Sequence, residues 1–240
     1  MYDAVLFDMD GLLVDTEPLW LETETEVMAR LSGSNSGSHS GSHSVPWTEA
    51  DQRQLLGGSM ERTVAYLLRK AAPSALPSPE TVERWMTEGM LERVAAGRVI
   101  VRPGARELLA EVAAAGIAHA LVTSSQRAFA AAVLASTGLR FPVVVTGDDV
   151  TAHKPDPQPY LLAARLLGVD PGRCVALEDS PNGVASATAA GCLVIAVPSL
   201  LPIQPAPGRV IVGSLTEVNL KGLGLPASGA GMPDYGRRRP

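Results

Sequence analysis

Residues 4–11 read Ala4-Val5-Leu6-Phe7-Asp8-Met9-Asp10-Gly11: four apolar residues in a row, then two aspartates one residue apart, then a glycine. An unbroken apolar run that ends at a turn signal is the pattern of a strand buried on both faces, as in a parallel sheet. Two carboxylates then stand at the strand's C-terminal end. The arrangement recurs twice: residues 119–122 lead into Thr123-Ser124-Ser125, and residues 174–177 into Glu178-Asp179-Ser180. Each is followed by a helical stretch. Ser180 as N-cap, Pro181 at the first helical position and Gly191 as stop punctuate one helix, and Asp156, Pro157 and Gly168 repeat the pattern in another. Further short runs at 143–145, 193–197 and 210–212 supply more strands. Strand and helix alternate, which predicts a doubly wound, Rossmann-like α/β core with a mainly parallel sheet and a ligand site beyond the strands' carboxyl ends.

Between the first strand and a helix starting near Pro103 the pattern changes. Residues 17–31, 59–71 and 79–96 read as helices with no strand between them. The chain thus divides into an α/β core, 1–16 with 98–221, and an inserted α-helical cap, 17–97. Because the chain leaves the core just after Asp8 and Asp10, the insertion is expected to act as a lid over the strand ends. Residues 32–44, SGSNSGSHSGSHS, are a Ser/Gly repeat with too little apolar area to offset ordering, hence a flexible loop whose His39 and His43 are not read as a metal tract. The tail 222–240, ending Arg237-Arg238-Arg239-Pro240, is expected to be disordered. Trp20, Trp47, Tyr66 and Trp85 are assigned to helix packing in the cap.

The 240 residues, with 46% hydrophobic content and only 23 Gly and 19 Pro, are those of a chain with a packed interior. A net charge of -5 argues against nucleic acid as a partner, since a phosphate backbone is bound through clustered Lys and Arg. No apolar run reaches the ~18 residues of a membrane span. No Lys or Arg precedes Arg30, unlike a secretory signal peptide, so a cytoplasmic protein with no membrane partner is expected, a monomer or weak homo-oligomer. Cys174 and Cys192 lie in apolar runs and read as reduced core thiols.

Two aspartates as close as Asp8 and Asp10 serve either a hard cation or a division of labour in which one attacks and the other shuttles a proton. Glu178 and Asp179 at another strand end would complete an oxygen-rich site suited to Mg²⁺. Thr123 offers a hydroxyl, and Ser124 and Ser125 offer hydroxyls and amides at a helix N-terminus, a ready anion site. Lys154 adds a compact positive charge. Carboxylates, a divalent ion, a lysine and helix amides together suit a phosphoryl group, whose transfer rests mostly on positioning and charge neutralisation.

Taken together, Asp8-Met9-Asp10-Gly11, Thr123, Lys154-Pro155-Asp156-Pro157 and Glu178-Asp179-Ser180-Pro181-Asn182-Gly183 resemble the four motifs of the haloacid dehalogenase superfamily, in its order. The helical insertion resembles the cap of the beta-phosphoglucomutase-like branch. The resemblance implies that Asp8 is the nucleophile forming an aspartyl-phosphate and Asp10 the general acid and then base. Thr123 and Lys154 would hold phosphoryl oxygens. Asp8, the Asp10 backbone carbonyl and Asp179, with Glu178 alongside, would bind Mg²⁺. Gly11, Glu17, Gly58, Ser59, Ser124 and Ser125 would line the substrate. The implied activity is a Mg²⁺-dependent phosphatase of a small phosphomonoester, a sugar or polyol phosphate, with a sugar phosphomutase and a non-catalytic phosphometabolite-binding protein as rivals. The mutase has an arginine in a cap loop, and this chain places Met60 there, in Gly57-Gly58-Ser59-Met60-Glu61, with Arg62 close by. This departure favours the phosphatase.

Overall fold

The apolar runs that open this reading form the centre of a sheet. The computed structural model describes residues 2–33, 45–55, 60–71 and 77–223. In chain order its elements are β1 (Ala4–Phe7), β2 (Val14–Asp15), α1 (Glu17–Leu31), α2 (Glu49–Leu55), α3 (Met60–Ala71), α4 (Pro79–Ala95), β3 (Ile100–Val101), α5 (Ala105–Ala114), β4 (Ala118–Val122), α6 (Arg127–Thr137), β5 (Val143–Val145), α7 (Gln158–Leu167), β6 (Cys174–Glu178), α8 (Pro181–Ala189), β7 (Leu193–Ala196) and β8 (Arg209–Ile211). The chain divides into two compact units, Met1–Asp15 with the chain from Ile100 onward, and Thr16–Val99.

The first unit is the predicted α/β fold. Its sheet runs β5-β4-β1-β6-β7-β8, and every pairing is parallel. All four residues of β1 are fully buried, as a strand with neighbours on both edges and helices on both faces requires. The register aligns Phe7 with Leu121 of β4 and with Leu177 of β6. One step further along, Asp8 is level with Val122 and Glu178, so three strands end together. Small side chains dominate one face: Ala4, Ala120, Cys174, Ala176 and Ala196 join Leu6, Val122, Tyr160 and Ala163 in one buried cluster. That flatness lets α7 lie against β4 and β5, and α8 against β7. Cys174 and Cys192 are free thiols in this core.

Four local features differ from the sequence reading. The two-residue strands β2 and β3 pair antiparallel, Val14 with Val101 and Asp15 with Ile100, and are too short to leave a periodic signal. The turn at Gly104, φ 84°, delays α5 to Ala105. For α7, Pro157 is the N-cap rather than the first helical residue, and the Asp156 carboxylate takes the Gln158 amide at 2.8 Å. Lastly, Leu223 is fully buried and its amide bonds the Asn219 carbonyl, so packing extends past residue 221 into the expected tail. Residues 224–240, and residues 34–44 of the Ser/Gly loop, lie outside the described residues.

The second unit packs α1, α3 and α4 around Val27, Met28, Leu31, Val64, Leu67, Val82 and Met86. Trp47 meets the Tyr66 ring edge-on at 5.7 Å, the Arg30 guanidinium lies over Trp85 at 3.7 Å, and Trp20 packs against the same cluster. Helix α2 was not anticipated. Its start is a reciprocal cap: the Asp51 carboxylate accepts from the Thr48 amide at 2.9 Å, and the Asp51 amide donates to the Thr48 hydroxyl at 3.4 Å. The repeat that precedes it hides so short a helix.

Gly104 has a left-handed φ, and a Cβ there would stand 2.5 Å from the Thr216 amide nitrogen. Gly104→Ala is expected to cost at least about 1–2 kcal/mol from backbone strain alone, read as a lowered Tm. A variant as stable as the parent would show that the α5 turn is not fixed as described.

Candidate active site

The carboxyl ends of β1, β4 and β6 converge on Lys154, which sits in the connection from β5 to α7. That connection is pinned by the Gln158 side chain, which accepts from the Ala152 amide at 2.6 Å, and by the Ser186 hydroxyl of α8, which donates to the Asp156 carbonyl at 2.5 Å. Lys154 Nζ donates to Asp8 Oδ1 at 2.6 Å, to Glu178 Oε1 at 2.6 Å and to the Val122 carbonyl at 2.9 Å. An ammonium has three N–H groups, and all three are used.

Glu178 ends β6 and is fully buried. Its Oε1 also accepts from the Tyr160 hydroxyl at 2.5 Å, while Oε2 faces the Asp179 amide at 3.2 Å and the Ser180 hydroxyl at 3.4 Å. Gly183, in the first turn of α8, makes room for it: a Cβ there would fall 1.9 Å from Glu178 Oε1. Asp179 follows on the loop, and its Oδ2 accepts from the Ser199 hydroxyl beyond β7. Gly11 serves Asp179 as Gly183 serves Glu178. With φ 84°, it turns the chain after Asp10, and a Cβ there would fall 1.9 Å from Asp179 Oδ2.

Asp10, half-buried, is treated differently. Its Oδ2 accepts from the Ser125 hydroxyl at 2.7 Å and from the Thr123 hydroxyl at 3.3 Å. Thr123 Oγ1 in turn receives the Ser125 amide at 3.0 Å, closing a small ring at the end of β4. The loop after β5 holds this ring from outside, with the Gly147 amide donating to the Ser125 carbonyl at 2.9 Å and the Asp148 carboxylate taking the Arg127 amide at 2.8 Å.

Burial raises the Asp8 carboxyl well above its ordinary value; Lys154 opposes this, and Glu178, Asp179 and Asp10 add to it. Burial, then Glu178, pushes Asp179 up to about 7, against the Ser199 hydrogen bond and Lys154. Burial alone would depress Lys154, but Asp8 and Glu178 outweigh it, and the ammonium is raised and stays charged. Three buried carboxylates therefore share one lysine, and the deficit is positive charge.

Asp8, Glu178 and Asp179 each offer an oxygen within 4.8 Å of the others, the kind of donor set a hard cation takes. The hydrogen bonds sort the three. Both oxygens of Glu178 are engaged by protein donors. Asp8 Oδ2 and Asp179 Oδ1 receive no hydrogen bond from any described residue. A cation bound here would find its open ligands on Asp8 and Asp179, with Glu178 kept as the anchor of Lys154.

Of the residues singled out in the sequence, Asp8, Asp10, Gly11, Thr123, Ser125, Lys154, Glu178 and Asp179 come together, and Ser124 stays exposed on the same loop. Thr123 and Ser125 bond Asp10, where the sequence pointed to an anion. Glu17 belongs to the second unit, where its carboxylate accepts from the Gln52 amide group at 3.1 Å. Gly58 and Ser59 lie outside the described residues. In that unit Arg62 donates to the Gln54 carbonyl at 2.8 Å. Tyr160 and Ser199 were not anticipated. Tyr160 reads as one more apolar residue of α7, and Ser199 follows a strand whose end has no other polar signal.

The model of haloacid dehalogenase-like hydrolases matches residues 2–191. Hexitol phosphatase B of Escherichia coli (strain K12) is 34% identical over 226 residues, 92% of this chain and 96% of that protein. Among solved structures, CbbY from Rhodobacter sphaeroides in complex with phosphate is similar with TM-score 0.78 and 33% identity, covering 94% of this chain and 100% of the other. A mutant of CbbY in complex with xylulose-(1,5)bisphosphate has TM-score 0.78 and 33% identity, over 93% of this chain and 99% of that one. Among the described residues, no helix is long and apolar enough to cross a membrane.

The raised carboxyl of Asp179 fixes a sign. Its folded value, about 7, lies above the ordinary 3.8, so without cation its contribution to stability is full below that ordinary value and is lost as pH rises to about 7. A divalent cation bound at this cluster would replace the proton. The rise in Tm on adding Mg²⁺ is therefore expected to be larger at pH 8 than at pH 5.5, and calorimetry in buffers of different ionisation heat should show proton release on binding. A Tm shift independent of pH would sink this account of the cluster.

Proposed function

The chain belongs to the haloacid dehalogenase-like hydrolases, and we propose that it is a Mg²⁺-dependent phosphatase of a small sugar or polyol phosphate, acting through an aspartyl-phosphate on Asp8. The observation that carries this reading is the unlike treatment of two neighbouring aspartates. Asp8 is held by an ammonium through one oxygen and receives no hydrogen bond from the described residues at the other. Asp10 is held by two hydroxyls. The first is placed to attack, the second to exchange a proton.

In the forward half, an Asp8 oxygen attacks phosphorus, the bond from phosphorus to the alcohol oxygen breaks, and the departing alkoxide takes the proton of Asp10. In the second half, Asp10 takes a proton from water as the water oxygen attacks phosphorus. The bond to Asp8 breaks, and inorganic phosphate leaves. Lys154 follows the charge. Once Asp8 is esterified its oxygen is a weaker acceptor, and the hydrogen it held is released to a phosphoryl oxygen. The Asp8 and Asp179 carboxylates with the Asp10 backbone carbonyl would hold Mg²⁺, which supplies positive charge against the phosphoryl oxygens. Tyr160 keeps Glu178 in place. Its phenol, raised by burial and then by Glu178, remains a donor at any working pH.

The similarity to hexitol phosphatase B and to a protein crystallised with a ketose bisphosphate supports a phosphorylated, polyhydroxylated substrate. Met60 at the cap-loop position and Arg62 bonded to the Gln54 carbonyl weigh against a mutase that must grip a second phosphate.

Inorganic phosphate release from hexitol, aldose and ketose phosphates and bisphosphates, with Mg²⁺ or EDTA, tests the proposal. Release is expected with Mg²⁺ only, with no turnover in Asp8→Asn and a loss on the order of 10²- to 10⁴-fold in Asp10→Asn. Isomerised monophosphate without inorganic phosphate would establish the mutase instead, and full activity in Asp8→Asn would exclude the covalent route.

A further inference from the structure

The loop beyond β7 carries no motif, yet it is stitched to the acidic end of β6 at three points. The Val197 amide donates to the Glu178 carbonyl at 2.7 Å, the Ser199 amide to the Asp179 carbonyl at 3.4 Å, and the Ser199 hydroxyl to Asp179 Oδ2. Gly11 closes the other side of that same oxygen, since a Cβ there would stand 1.9 Å from Asp179 Oδ2 and 3.0 Å from Ser199 Oγ. Asp179 Oδ2 is thereby fixed between a hydroxyl donor and a backbone that has no side chain. Asp179 Oδ1 receives no hydrogen bond from any described residue. A carboxylate held by one oxygen cannot rotate about its Cβ–Cγ bond without breaking that bond, so the direction of the other oxygen is set as well.

We infer that Ser199 is a positioning residue for the cation: its hydroxyl aims Asp179 Oδ1 at the space shared with Asp8. This rests on the reading of Asp179 as a cation ligand and adds to it a residue that selects the ligand's orientation. Two comparisons within the site strengthen the assignment. Glu178, the other carboxylate of the pair, takes donors on both oxygens and has none to spare. Asp8 takes its donor from Lys154, leaving Asp179 as the ligand whose orientation is set by a single neutral hydroxyl.

The test is Mn²⁺ and Mg²⁺ binding to substrate-free protein by calorimetry, for the parent, Ser199→Ala and Ser199→Thr. Partners that orient a metal ligand are commonly worth about 10- to 100-fold in affinity, and a loss in that range is expected for Ser199→Ala. Ser199→Thr, which keeps the hydroxyl, is expected to stay near the parent. In turnover, the Mg²⁺ concentration for half-maximal rate should rise by the same factor in Ser199→Ala, with kcat at saturating Mg²⁺ little changed. The cation-free Tm should fall by no more than the loss of one buried hydrogen bond explains. Equal affinity in parent and Ser199→Ala overturns the inference while leaving the phosphatase reading intact. Equal losses in the alanine and threonine variants also overturn it, since the hydroxyl would then not be the cause. A parent that binds neither ion removes the cation reading and this inference together.

Discussion

Lys154 is bonded at once to the residue that ends β4, the residue that follows β1 and the residue that ends β6, and that single ammonium makes the arrangement of strand ends tolerable. Removing charged groups from water is costly, and the cost is offset only where each remaining lone pair or proton is satisfied. Without the lysine, Asp8 and Glu178 would be two buried like charges at adjacent strand ends. With it, each has a short, charge-assisted bond, and the Val122 carbonyl takes the proton left over. The parallel register then matters in a way it would not for an apolar sheet. A slip of one residue in β1 against β6 would turn Asp8 to the opposite face and leave Lys154 without its bond to the central strand's end.

Two glycines follow from that constraint for reasons of volume. Carboxylates turned inward toward a lysine occupy space that a Cβ on the neighbouring chain would otherwise fill, and Gly11 and Gly183 are the positions where that chain passes. Gly183 has no need of unusual backbone angles, sitting in a helix. Gly11 needs both the space and the left-handed turn. The same residue type therefore answers two different demands at the two ends of one acidic pair.

The sheet and the residues that carry charge were legible in the sequence because both leave local marks. Buried parallel strands read as unbroken apolar runs, and polar residues placed directly after such runs have few structural reasons to be there. What escaped lacks such marks. Strands β2 and β3 have two residues each, and α2 is held by a reciprocal cap behind a Ser/Gly repeat. Tyr160 is invisible because its ring belongs to the apolar face of α7 and only the hydroxyl, at its far edge, reaches Glu178. Ser199 is invisible because its role depends on which strand lies beside β6, and sequence order alone does not give that neighbour. Ser125 was recognised for its hydroxyl but assigned to an anion, since only the fold shows that the Asp10 carboxylate is nearer.

The difference between Asp8 and Asp10 then follows from where each lies relative to the strand end. Asp8, one residue past β1, is still level with its neighbours and shares their burial, so it meets the lysine and the other carboxylates. Asp10, two residues on, has left the sheet and faces the β4 loop, where the Thr123 and Ser125 hydroxyls donate to it. At Asp8 the ammonium favours the anion against the burial that raises the carboxyl, as the proposed nucleophile requires. A carboxylate bonded by hydroxyls, which accept as readily as they donate, can gain and lose a proton without breaking its contacts. Two identical side chains two positions apart meet different partners because the first is still level with the neighbouring strand ends and the second has turned away from them.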